Sequence, residues 1–175
     1  MNIDSRTRAR IRAVYPGLAF RYYRLAYDLY ALHKKCVRIT EGFRSFTRQR
    51  KLFSLGRDKP GSVVTNARAG QSFHNYGLAI DVCFVGPDPY LEKDVNGPMY
   101  WDEFGRTAKG HGFAWGGDFN GFQDRPHIQL TYGLTLRAIQ KLYDFGGIEG
   151  VWTRLDQIRG VDCEWKRSKV KILNP

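Results

Sequence analysis

Four histidines occur in this chain of 175 residues, and two of them stand where metal chemistry is conceivable. His74 lies in Ser72-Phe73-His74-Asn75-Tyr76-Gly77-Leu78-Ala79-Ile80-Asp81, which sets an imidazole at the mouth of an expected strand and a carboxylate within it. His127 follows Asp124-Arg125-Pro126 and opens a second short stretch, His127-Ile128-Gln129-Leu130. Asp81 shares a strand face with the small Ala79, which leaves room for an approaching group, and His127 shares one with Gln129. If the two strands pair antiparallel, Asp81 and His127 become neighbours and His74 closes the third side. Two imidazoles and one carboxylate suit a zinc ion that keeps its fourth position for water, the donor set of a catalytic site. Binding lowers the pKa of that water from ~15.7 to ~7 in favourable cases, and a nearby carboxylate can take its proton as a carbonyl is attacked. Asp124, close before His127 in sequence, is placed to be that base; its alternative is an ordinary loop carboxylate. There is no H-E-x-x-H pair, so a thermolysin-type helix site is excluded.

The two patterns S-x-H-x-x-G-x-A-x-D and D-x-P-H together resemble the zinc peptidoglycan peptidases. These comprise D-alanyl-D-alanine carboxypeptidases and dipeptidases and phage L-alanyl-D-glutamate endopeptidases, and they share a metal-site architecture with the Hedgehog signalling domain. The resemblance spans about residues 37–131, and two separated motifs agreeing in order make it more specific than a lone histidine pair. It implies zinc ligands at His74, Asp81 and His127 and a catalytic acid/base at Asp124. The turn Trp115-Gly116-Gly117-Asp118 is similar to the endopeptidase branch. The family also carries an arginine and a glutamine ahead of the first ligand, at the spacing of Arg44 and Gln49 here. Arg44 would then stabilise an oxyanion or hold a substrate carboxylate, and Gln49 would contact substrate; the alternative for both is a structural hydrogen-bonded pair. Ser72 either orients a ligand or shapes its loop, and Trp115 either stacks on substrate or packs in the core.

Several elements must position these residues. Leu18, Tyr22, Leu25, Leu29 and Leu32 recur at helical steps after Pro16 and predict a helix to about His33. Val37 to Thr40 alternates as a strand, and Ser45 is a candidate N-cap for a helix over residues 46–55 that Gly56 would end. The Gly-, Ser-, Asn- and Pro-bearing segment 59–71 reads as a long loop, followed by a strand over residues 78–84 and a second loop to Pro98. Trp101, Phe104 and Ala108 mark a helix, on whose stripe His111 falls as a packing or capping residue, as does His33 at the end of the first helix. Beyond Gly133 two further helices are predicted, either side of Gly146-Gly147. Helices around a few separated strands predict an α+β fold with a small antiparallel sheet, of the Hedgehog and D,D-peptidase type.

The length suits one domain over residues 1–175, with 146–175 as a helical extension packed on it, and a hydrophobic content of 42% is enough for a core. The three cysteines are widely spaced and form no C-x-x-C pair, so neither a thiolate zinc site nor a disulfide framework is suggested. A net charge of +11 predicts attraction to polyanions, and more than half of it comes from residues 1–12 and 166–175, read here as solvated basic tails. No recognised nucleic-acid motif accompanies that charge, so a nucleic-acid partner is not expected. No apolar run approaches a membrane span, and the arginine-rich start lacks the apolar core of a secretory signal. The resemblance then implies a monomeric, endolysin-like L-alanyl-D-glutamate endopeptidase with Zn2+ as cofactor. It would be made in a host cytoplasm and act on peptidoglycan stem peptides after membrane breach, aided by contact with the anionic envelope. A D-alanyl-D-alanine carboxypeptidase and a non-catalytic zinc-containing binding module are the alternatives.

Overall fold

A computed structural model describes residues 4–91 and 96–160. Its sheet has four strands, β1 (Val37–Glu41), β2 (Ala79–Phe84), β3 (Ala114–Trp115) and β4 (His127–Gln129), in the spatial order β1-β2-β4-β3. Every neighbouring pair is antiparallel. Around it lie helices α1 (Ser5–Ile11), α2 (Pro16–His33), α3 (Phe46–Ser54), α4 (Gly97–Gly110) and α5 (Leu136–Arg159). This is the expected α+β class with a small antiparallel sheet.

Helix α2 begins with proline at its first turn, where a missing N–H costs nothing, and buries Leu18, Tyr22, Leu25, Ala26 and Leu29. Strand β2 is covered on both faces, and along it only Asp81 is not fully buried. That exception matters, because a near-continuous apolar strand offers one opening and fills it with a carboxylate. In α3 the hydroxyl of Ser45 accepts from the Arg48 amide, so the expected N-cap is in place. His111 is the C-cap residue of α4, and its ring pairs with Asp28. Cys36 and Cys83 are free thiols. Among the described residues no helix is long and apolar enough to cross a membrane.

The basic N-terminal segment is not the solvated tail its composition suggests. Asp4 caps α1, Thr7 and Ile11 are buried, and the helix lies along β1. There the Thr7 hydroxyl accepts from the Ile39 amide, and Arg10 donates to the Ile39 carbonyl. These bonds satisfy backbone groups on the outer side of β1 that an open sheet edge would leave exposed. The sequence signal was masked by the alternating arginines, of which Arg6, Arg8 and Arg12 are exposed while Thr7, Arg10 and Ile11 dock. The corresponding expectation for residues 166–175 lies outside the described residues.

Helix α5 is helical on both sides of Gly146 and Gly147, whose backbone angles interrupt it, in keeping with the two stretches expected there. Its second half contributes Val151, Trp152 and Leu155 to the same buried cluster as Leu18, Tyr76 and Ile80. Trp152 donates to the Tyr76 carbonyl, and the buried Tyr15 hydroxyl donates to Asp156, a carboxylate only 2% exposed. Tyr15→Phe removes that donor and is expected to cost about 1–3 kcal/mol of stability, read as a lower urea midpoint; an unchanged midpoint would contradict the buried pairing.

Candidate metal and catalytic site

The register of the two central strands sets Asp81 directly opposite His127. The third member comes from a 3-10 turn, Phe73–Tyr76, rather than from the start of a strand. That turn is pinned from three sides. The Arg44 amide donates to the His74 carbonyl, the Asn75 side chain donates to the Arg44 carbonyl and accepts from the Gly70 amide, and Trp152 holds Tyr76. His74 is 3% exposed.

The three side chains meet tightly. Asp81 Oδ1 lies 2.9 Å from His127 Nδ1 and 3.2 Å from His74 Nε2, and the two ring nitrogens are 3.3 Å apart. One donor atom from each residue falls within 4.8 Å of the others, and among the described residues this is the grouping able to hold a metal ion. The remaining ring nitrogens are already committed. His74 Nδ1 faces the Gly42 carbonyl at 2.8 Å, which can only accept, so that nitrogen carries the proton. His127 Nε2 faces Gln129 Oε1 at 3.1 Å and donates to it. Neutral rings in these tautomers turn two lone pairs and a carboxylate oxygen toward one another. Such a convergence is repulsive unless a cation sits among the three. Nitrogen and oxygen ligands about 2.0–2.1 Å from a tetrahedral zinc stand roughly 3.3 Å apart, so the observed separations fit a divalent ion without rearrangement. With no ion among them, the three groups act on one another by charge. Burial opposes the charge on Asp81, yet the adjacent His74 and His127 outweigh it and hold its pKa well below the usual carboxylate range. Burial likewise works against a charged His127, but Asp81 overcomes it and raises the pKa.

Two charged residues border the cluster. Arg44 is 9% exposed; its Nη2 lies 3.6 Å from Asp81 Oδ2, its Nη1 donates to Gln49, and its buried Nε has no hydrogen-bond partner. Asp124 is half-buried and its pKa is raised, first by burial and then by the Asp81 charge, against the pull of His127, His74 and Arg44. Its main chain is clamped to the 116 turn, since its amide donates to the Gly116 carbonyl. A Cβ at Gly116 would stand 2.2 Å from the Asp124 carbonyl oxygen, so this close approach requires glycine. Gly116→Ala is expected to push the Asp124 segment away, costing about 1–3 kcal/mol in denaturation and lowering activity with it.

The other expected contacts are placed differently. Gln49 is wholly buried and spends its amide on Arg44, the Ala67 carbonyl and Thr65, so it ties α3 and the 59–71 loop together instead of facing a ligand. Trp115 is 7% exposed, its indole N–H donates to the Arg125 carbonyl, and Gly105 and Gly117 crowd its ring. Its ring packs in the core cluster, which favours the core alternative over stacking on substrate. Ser72 is half-buried ahead of the 3-10 turn, and its carbonyl accepts from Asn75. The sequence reading missed Gly42 and Asn75. Gly42 acts through its carbonyl, which leaves no side-chain signature, whereas Asn75, directly beside the histidine in the motif, was visible and passed over. Gln129 was placed on the face of His127 but given no role.

The chain is similar to known proteins in sequence and in fold. Residues 65–130 match the family model for D-alanyl-D-alanine carboxypeptidase. A peptidoglycan L-alanyl-D-glutamate endopeptidase of Bacillus subtilis (strain 168) is 47% identical over 98 residues, covering 53% of this chain and 59% of that protein. An L-alanyl-D-glutamate peptidase of Listeria phage A118 is 36% identical over 66 residues, or 35% of this chain and 22% of that protein. The chain thus spans less than two thirds of the length of either curated relative. The crystal structure of the Serratia marcescens L-Ala D-Glu endopeptidase aligns with a TM-score of 0.52 and 27% identity, covering 75% of this chain and 91% of that one. The matched segment contains His74, Asp81, Asp124 and His127 together. Residues 65–130 of this chain are thus similar to the D-alanyl-D-alanine carboxypeptidase family, within a fold shared with an L-Ala D-Glu endopeptidase.

Proposed function

We propose that this protein is a zinc-dependent peptidoglycan peptidase that hydrolyses the bond between L-alanine and D-glutamate in stem peptides. The observation that carries this reading is the convergence of two imidazole lone pairs and one carboxylate within 4.8 Å, with a second, half-buried carboxylate electrostatically coupled to them. The choice of bond rests on the relatives, whose names specify L-alanyl-D-glutamate or L-Ala D-Glu cleavage.

His74, Asp81 and His127 would hold the ion, and His74 and His127 are kept in the ligating tautomer by Gly42 and Gln129. A bound zinc ion would supply a Lewis acid that makes water acidic near neutral pH and polarises the scissile carbonyl. Asp124 takes the proton of the attacking water and passes it to the departing amine nitrogen. A half-buried carboxyl group beside the cluster can accept a proton as carboxylate and return it as acid. Arg44 keeps a fixed positive charge against Asp81 and stabilises negative charge as it develops on the carbonyl oxygen. Gln49 is a positioning residue that acts through Arg44, and Ser72 shapes the loop before His74. On this reading the described residues act as a single, monomeric catalytic domain whose substrate is the bacterial wall, reached once the membrane is breached.

Digestion of a soluble stem peptide followed by fragment masses tests the reading. The expected products are an N-terminal fragment ending in L-alanine and a peptide with a new D-glutamate amino terminus. Free D-alanine as sole product would assign a carboxypeptidase, and an intact peptide would leave a binding module.

A further inference from the structure

Away from the metal cluster, a cavity of about 330 Å³ is lined by Phe20, Arg21, Arg24, Gly110, His111 and Arg159. Three guanidinium groups face one space, and no carboxylate is in its lining. Behind the lining, Asp28 pairs with the His111 ring, and Asp156, which accepts from Tyr15, lies 3.6 Å from Arg159 and offsets part of its charge, while Arg21 and Arg24 have no ion pair among the described residues.

Two of the arginines are held in place. Arg21 donates through Nη1 to the His111 carbonyl at the end of α4, and its guanidinium lies over the Tyr132 ring. Arg159 donates through Nη1 to the Tyr15 hydroxyl. Space for both is built into the backbone, since a Cβ at Gly112 would stand 2.8 Å from Arg21 Nη1 and one at Gly17 2.8 Å from Arg159 Nη1. Arg24 is exposed at the rim above Phe20, itself 57% exposed. Anchoring through one nitrogen leaves the rest of each fork to meet a ligand, with little entropy lost on binding.

We infer that this cavity binds the phosphoryl groups of an anionic, polyol- or sugar-bearing cell-wall polymer and so tethers the enzyme to its substrate. A phosphoryl group offers several oxygens to several guanidinium forks at once. The cavity is much larger than one such group, so the attached polyol or sugar has room, and the exposed Phe20 ring can pack on its C–H face. The assignment of the polymer to the wall rests on the peptidase reading; the anion site does not.

The test is co-sedimentation with purified walls that retain or have been stripped of phosphate polymer, beside hydrolysis of a soluble stem peptide. Wild-type protein is expected to bind retained walls at least about tenfold more tightly than stripped ones. Arg24→Glu should abolish that difference while cleavage of the soluble peptide continues. Arg50→Glu, an equal charge change at an exposed position on α3, should leave most of it. Equal binding to both walls, equal loss in both variants, or the same Arg24-dependent binding to anionic lipid vesicles would overturn the inference. Lost peptide cleavage in the wild type would instead strike the peptidase reading.

Discussion

Asp124→Asn is expected to slow hydrolysis of a soluble stem peptide by about 100- to 10,000-fold while the protein still binds one metal ion. Asparagine keeps the size of the side chain and loses the ability to carry a proton. Asp124 donates no ligand atom to the His74, Asp81 and His127 grouping, so metal content should be unaffected. Its main-chain clamp to Gly116 uses backbone atoms that the substitution leaves alone, so folding should also be preserved. Measuring kcat beside metal content separates the two roles. A variant with full turnover would remove Asp124 from proton transfer.

Asp81→Asn should have an effect as large through a different route. Asp81 Oδ1 touches both ring nitrogens and Oδ2 faces Arg44, so one carboxylate neutralises the ion's surroundings on two sides. The amide retains the shape but removes the charge, leaving Arg44 buried beside a neutral group. Residues that merely support a metal ligand cost roughly 10- to 100-fold in affinity when lost, so a ligand should cost more. Metal analysis of the purified variant should find little bound ion, and excess zinc should restore only part of the activity. Arg44 offers a useful contrast, since Arg44→Lys keeps a charge but not the fork that reaches both Gln49 and Asp81.

Much of the site was legible because its logic is local. The alternation around Asp81 fixed its face, and the strand face shared by His127 and Gln129 matched the observed pairing of Asp81 with His127. Proline and serine marked the starts of α2 and α3. What escaped depends on contacts between distant segments. Strand β3 is two residues long, too short for a period, and exists because β4 offers it a partner. The turn carrying His74 takes its form from Arg44, Gly70 and Trp152, none of them next to it in sequence. Helix α1 was hidden because arginines on its outer side dominate its composition while only Thr7 and Ile11 are buried. Trp115 beside glycines was ambiguous by type, and its packing against Gly105, from a helix before it, and its bond to the Arg125 carbonyl place it in the core.

The central claim, that an ion gripped by His74, Asp81 and His127 drives cleavage, is tested most directly by titration. Protein freed of metal with a chelator is mixed with increasing zinc while the new D-glutamate amino terminus is counted. Product formation is predicted to rise in proportion to zinc and level off at one ion per chain, with no such rise in a His74→Ala, His127→Ala variant. Undiminished cleavage by the chelated protein, or zinc-dependent cleavage by that double variant, would contradict the account.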